Sequence, residues 1–162
     1  MMGIDRGDLD VADELQGDDE EDTHLLRALH ERAKTFLAGF AWCKGIRGSW
    51  FGAGVGGIVA VFLFEIEPAA EDVDSEMWVV VGDMPSAIVI PDESPDPMTA
   101  LRTYAREMRA WATAVRSGDP AALEDCLPIN AKPTLELANM LEARMNFLER
   151  EVYPYLLGEE ET

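Results

Sequence analysis

The sequence predicts an α+β fold: an antiparallel β-meander of about four strands packed against three helices, in the order α-β-β-β-β-α-α. Three observations carry this reading. Apolar residues recur at helical spacing before residue 41 and again after residue 96. Between them lie runs rich in β-branched and aromatic residues, at 58–64, 77–81 and 87–90, which suit a pleated, buried surface. The connections between those runs are short, whereas parallel pairing needs crossovers of about a dozen residues or more. Helices segregated to the ends of an antiparallel sheet define the class.

The first helix is expected to start at Asp22 or Thr23, either of which can cap free N–H groups. Leu25, Leu26, Leu29, Ala33, Phe36, Leu37 and Phe40 form its apolar stripe, with Arg27, His30 and Lys34 on the other side. Gly39 weakens it and Gly45 is expected to finish it. Ser49-Trp50-Phe51 reads as a short strand and Val55-Gly56-Gly57 as a turn. Ile58 to Phe64 reads as a central strand covered on both faces. Pro68 to Ser75 is a polar acidic loop, Met77 to Val81 the next strand, Gly82 to Pro85 a turn, and Ala87 to Ile90 the last strand, closed by Pro91.

The second helix has a clear start. Asp96 is placed to cap it and Pro97 to occupy its first position, where a missing N–H costs nothing. Leu101, Tyr104, Ala105, Met108, Trp111, Ala112 and Val115 make its apolar stripe, and Arg102, Arg106, Arg109 and Arg116 occupy much of the rest. Gly118 ends it, and Asp119-Pro120 opens a short turn through Leu123. The third helix begins near Pro133 and buries Leu137, Ala138, Leu141, Met145, Leu148 and Val152, and Pro154 is expected to stop it.

The 162 residues carry a formal charge of −19, from 32 acids and 13 bases. That balance excludes a surface built for nucleic acid or anionic lipid, because polyanions attract Lys and Arg. Yet 48% of residues are apolar, enough to bury a core. Residues 1–22 hold ten acids and one base and read as an acidic disordered tail. Residues 159–162 read as an acidic C-terminal tail, and 23–158 as a single domain. Within it the charge is uneven: 23–47 have five bases and one acid, whereas 48–101 have ten acids and no base.

The N-terminus Met1-Met2-Gly3-Ile4-Asp5 has no basic segment followed by an apolar one, so a cytoplasmic location is expected. The longest uncharged stretch, Gly48 to Phe64, has 17 residues and is broken by glycines. A membrane helix wants about 20 apolar residues. Cys43 and Cys126 have no metal or redox spacing and read as reduced thiols.

Several motifs resolve to bland readings. Gly52 to Gly57 satisfies Gly-x-Gly-x-x-Gly, but a strand follows where dinucleotide binding needs a helix N-terminus. The acids from Asp72 to Asp83 imitate a calcium loop, but Met77 stands where its glycine belongs. His24 and His30 are six apart and cannot share a metal on one helix. No catalytic residue, metal site or cofactor is therefore assigned. The candidate interaction surface is Glu71, Asp72, Asp74, Glu76 and Asp83, in the base-free segment.

The expected function is a non-catalytic acidic protein-binding module, an immunity-like or regulator-like antagonist of a basic protein. The alternative is a small-molecule-binding domain or enzyme with an aromatic-lined pocket between sheet and helices, suggested by four Trp and three Tyr. Ala110 and Ala114 broaden the second helix's stripe into a possible homodimer face. The segment Trp78-Val79-Val80-Val81-Gly82-Asp83-Met84-Pro85-Ser86-Ala87 resembles a stretch in a family of small uncharacterised bacterial proteins, a domain of unknown function. The resemblance extends over residues 76–152 and implies no activity or ligand.

Overall fold

A computed structural model describes residues 6–7, 9–126 and 132–158. The α+β class and the antiparallel meander hold, with elements the sequence reading did not anticipate. The chain divides into two compact units, residues 1–101 and 102–162, where one domain over 23–158 was expected.

The first unit contains a five-stranded sheet: β1 (Asp10–Val11), β2 (Cys43–Val55), β3 (Val59–Pro68), β4 (Glu76–Gly82) and β5 (Met84–Val89). Each strand pairs antiparallel with its neighbour in sequence. β3 and β4 govern the sheet. Ala60, Phe62, Phe64 and Ile66 of β3 join Met77, Val79 and Val81 of β4 in a buried cluster. Helix α1 (Glu20–Ala38) adds Leu26, Leu29, Ala33 and Leu37 to it. The alternate residues Val59, Val61, Leu63, Trp78 and Val80 have no exposed surface either. These strands are thus buried on both faces, as their unbroken apolar runs imply. The Trp78 indole N–H donates to the Ser94 carbonyl at 2.7 Å, so the buried ring leaves no donor unmet.

The expected acidic tail is folded over much of its length. β1 adds to β2, a 3-10 turn follows at Ala12–Glu14, and Ala12 and Leu15 are fully buried in the α1–sheet core. Two buried side chains, Ala12 and Leu15, anchor this acidic run, and Asp10 and Val11 pair with the β2 edge. Arg6 reaches Glu65 and Glu76, which face each other across β3 and β4, at 3.1 and 2.5 Å. Its guanidinium also lies 4.0 Å from the centre of the Trp50 ring. The repulsion of a like-charged cross-strand pair is thereby offset in part. Residues 1–5 and 8 of the expected tail, and the expected tail 159–162, lie outside the described residues.

Element ends shifted for local reasons. Asp19, not Asp22 or Thr23, caps α1 and accepts from the Asp22 N–H at 2.8 Å. Gly39 ends α1, and Gly45 lies within β2. His30 does not share a solvent face with Arg27 and Lys34. It follows Leu26 by four residues, falls on the core face and is 3% exposed. The glycines of the Gly-x-Gly-x-x-Gly match lie in β2 and its turn into β3, where Gly57 has φ +80°.

The second unit continues α2 (Pro97–Ser117) into α3 (Pro120–Glu124), α4 (Leu135–Phe147), a π turn (Leu148–Val152) and α5 (Tyr153–Leu157). Asp96 caps α2 through the Thr99 N–H, and Asp119 caps α3 through the Ala121 N–H, as read from the sequence. Thr134 caps α4. Pro154 does not stop the last helix. It falls in the first turn of α5, behind the π turn. A proline lacks the N–H that regular helical pairing needs, and a local change of hydrogen-bond pattern accommodates it. Arg109 contacts Asn146 and Glu149, whereas Arg116 contacts Asn139 and Glu142. The descending numbers show that α2 and α4 run antiparallel.

A close approach makes Gly82 irreplaceable. A Cβ there would lie 2.2 Å from the Ile58 carbonyl oxygen, while one at Gly45 would meet nothing within 4 Å. Gly82→Ala is therefore expected to destabilise the protein by about 1–3 kcal/mol, the usual range for overpacking. Gly45→Ala should leave it near wild type. Thermal unfolding of both variants checks this, and equal midpoints would refute the packing argument.

Candidate functional site

The five acids expected to form one surface do not lie together. Glu71, Asp72 and Asp74 are exposed in the loop between β3 and β4. Among the described residues they carry no ion pair. Glu76 opens β4 but is engaged by Arg6. Asp83 lies past the other end of β4, about 23 Å away along a strand rising roughly 3.3 Å per residue. No single patch contains all five.

The structure places Asp83 in different company. Its N–H donates to the Ile58 carbonyl at 2.9 Å, at the turn joining β2 and β3. Two residues earlier, the Gly56 N–H donates to Asp22 Oδ1 at 2.7 Å. These contacts bring the run Asp18-Asp19-Glu20-Glu21-Asp22 to the same end of the sheet as Asp83. Part of that run is structural. Asp19 caps α1 and Asp22 holds the turn, and acids in a first turn also suit the positive end of the helix dipole. Asp18, Glu20, Glu21 and Asp83 are exposed.

A second constellation has no counterpart in the sequence reading. His30 Nε2 lies 2.8 Å from Ser49 Oγ, and Nδ1 lies 3.9 Å from Asp13 Oδ1. α1 supplies the histidine, β2 the serine and the 3-10 turn the aspartate. Ser49 pairs with Phe64 across the sheet, and Phe64 belongs to the core cluster under α1. The hydroxyl is thus aimed at the layer where His30 sits. Phe62 and Phe64 flank the imidazole, at 5.1 and 6.0 Å between ring centres. With the ring proton on Nδ1, toward the carboxylate, Nε2 accepts from the Ser49 hydroxyl. The Asp13 distance is too long for a hydrogen bond and short enough for Coulombic attraction.

Ser49 and Asp13 also line a cleft of about 390 Å³, with Val11, Lys34, Ile46, Arg47, Gly48 and Trp50 around it. It opens along the part of β2 that the two-residue β1 leaves unpaired. Lys34 and Arg47 give it positive charge, though each also meets an acid, Glu31 at 3.0 Å and Glu67 at 3.7 Å. Only one of the four tryptophans reaches it. Trp78 and Trp111 are buried, and Trp42 stacks on Phe40 at 4.8 Å. No spacing rule could have found this group. Asp13 sat in the expected tail, His30 on the expected solvent face and Ser49 in a run read only as strand.

No protein-family model, no curated protein and no solved structure matches the chain. Any functional reading therefore rests on the geometry.

Burial lowers the pKa of His30 from 6.5, and Lys34 lowers it further; Asp13 and Glu31 raise it by less. Those are the charged groups acting on the ring from α1 and the 3-10 turn, and β3 contributes only Phe62 and Phe64. The folded protein therefore holds the imidazole neutral, and the unfolded chain takes up the proton more readily. His30 contributes stability that is complete above its ordinary pKa and is lost as pH falls below it. The unfolding midpoint is expected to drop between about pH 7.5 and pH 5.5, the range in which histidine titrates. His30→Gln, which cannot titrate, should flatten that slope. Parallel slopes for the two proteins would reject the assignment.

Proposed function

We propose that the protein is an acidic binding module that engages a basic protein partner through the end of the sheet where the N-terminus of α1 meets the β2–β3 and β4–β5 turns. The observation that supports this reading is the convergence just described: Asp18, Glu20, Glu21 and Asp83 share one exposed end, held by the Asp22–Gly56 and Asp83–Ile58 contacts. Opposite charge on a partner speeds encounter and fixes register, and salt weakens both effects. Arg109 and Arg116 of α2 pair with Glu149 and Glu142 of α4. An antagonist or regulator of a basic protein fits such a surface.

The test uses immobilised full-length protein and a cell lysate at about 0.05 and 0.3 M salt, concentrations that bracket strong and weak screening. Basic proteins should be retained at the lower salt and released at the higher. A variant carrying Asp18→Asn, Glu20→Gln, Glu21→Gln and Asp83→Asn should lose them, while Glu71→Gln, Asp72→Asn and Asp74→Asn together should not. Asp19 and Asp22 are left intact because they hold α1 and the turn. Retention of no basic protein at either salt would overturn the reading. Loss with the loop variant alone would move the surface to the β3–β4 loop.

A second reading is favoured by one observation, the cleft of about 390 Å³ between α1, the 3-10 turn and β2. Its size falls within the range of small-molecule sites. It carries a hydroxyl, a carboxylate and two cationic side chains at its walls, so a small polar ligand bearing a negative group suits it.

A further inference from the structure

The Ser49–His30–Asp13 arrangement suits more than ligand contact. We infer that Ser49 is an acyl-accepting nucleophile, activated by His30 and oriented through Asp13, and that its substrates are small carboxylic esters entering the cleft beside Lys34 and Arg47. The inference rests on the second reading above, that the cleft admits a small molecule.

Three relations carry it. A nucleophile must touch its base, and Ser49 Oγ lies 2.8 Å from His30 Nε2. The base must present an accepting nitrogen, and the Asp13 carboxylate, 3.9 Å from the opposite ring nitrogen, favours the ring proton on that side through charge alone. The nucleophile must be reachable, and Ser49 is partly exposed at the cleft wall while His30 is 3% exposed behind it. This is the order of groups that activates a serine on unrelated folds, with the acid here acting on the imidazole by charge rather than by a hydrogen bond.

The step balances without a further reagent. The Ser49 oxygen bonds to the ester carbonyl carbon as its proton passes to His30 Nε2. Negative charge collects on the former carbonyl oxygen, in a cleft lined by Lys34 and Arg47. The carbon–oxygen bond to the alcohol then breaks, and the alcohol leaves with the proton from Nε2. Water repeats the sequence on the acyl-serine, giving the carboxylic acid and restoring the hydroxyl.

The test is p-nitrophenyl acetate on the full chain, read by p-nitrophenolate release and by peptide mass mapping. An acetyl group on Ser49 is expected, absent from Ser49→Ala. Asp13 is a positioning residue whose side chain is 78% exposed, so Asp13→Asn should keep the fold. That variant should acylate more slowly, by about tenfold or more, given how strongly triads depend on the orienting acid. Because Asp13 raises the pKa of His30, its loss should also move the pH midpoint of acylation downward, which a merely structural role would not do. Acetylation of lysines alone, with p-nitrophenolate release unchanged in Ser49→Ala, overturns the proposal. So does acetylation of Ser49 at the same rate in a folded His30→Gln variant, or an Asp13→Asn rate and pH profile equal to wild type. Titration with acetate, followed by NMR shifts of Trp50 and Lys34, separates the two readings. Acetate binding with Ser49 unmodified sinks the nucleophile and leaves the cleft, while no binding and no adduct sinks both.

Discussion

The two-sided burial of β3 and β4 is the constraint on which the rest of the sheet unit depends. Val59 to Phe64 and Trp78 to Val81 have no exposed surface. A charge at any of those positions would have to be desolvated, at a cost of several kcal/mol or a shift to its neutral form. The charges of this segment are therefore expelled to strand ends and connections. Glu65, Glu67 and Glu76 stand where the strands leave the core, Glu71, Asp72 and Asp74 in the loop, and Asp83 in the turn. Burial decides where these residues go, but not their sign. Glu65, Glu67 and Glu76 meet Arg6 or Arg47, which fixes their sign, whereas burial leaves the sign of the loop acids Glu71, Asp72 and Asp74 open.

The same constraint explains why the His30–Ser49 pair is distinctive. It places a hydrogen-bonded polar pair in an apolar layer, between Phe62 and Phe64. Inside such a layer a hydrogen bond is stronger and an unpaired partner more costly than in water. Each group therefore needs the other, and the pair ties α1 to β2. A purely structural tie would have no need of the cleft. Here Ser49 and Asp13 both line the adjoining cleft.

Legibility in the sequence followed the strength of local signals. Asp96-Pro97 and Asp119-Pro120 were readable because capping and a missing N–H are both local facts. β3 and β4 were readable because burial on two faces writes an unbroken apolar run. β1 was not, because two residues derive their strand identity wholly from the edge they join. His30 was misplaced because a periodic stripe was drawn narrowly around leucine and phenylalanine, though position 30 shares the face of Leu26 and Ala33. Chain proximity alone suggests one surface for the five acids, whereas a seven-residue strand carries its ends to opposite ends of the sheet. Ser49 and Asp13 had no signal of their own, since their meaning arises from a pairing register and a turn in the acidic run.

The charges of the two units follow different rules. In the helical unit, Arg109 and Arg116 find carboxylates and amides one helix away, and Arg102 sits 5.7 Å from the Tyr153 ring centre. Those arginines balance their own neighbourhood. Exposed pairs of this kind add little stability, but they fix which faces of α2 and α4 meet. In the sheet unit, Arg6 and Arg47 meet Glu65, Glu76 and Glu67 at one edge. At the other end, Asp18, Glu20 and Glu21 receive no such ion pair among the described residues. Its like charges repel one another, and the helix dipole and the Asp22–Gly56 bond offset only part of that. The basic partner proposed above would relieve part of that repulsion.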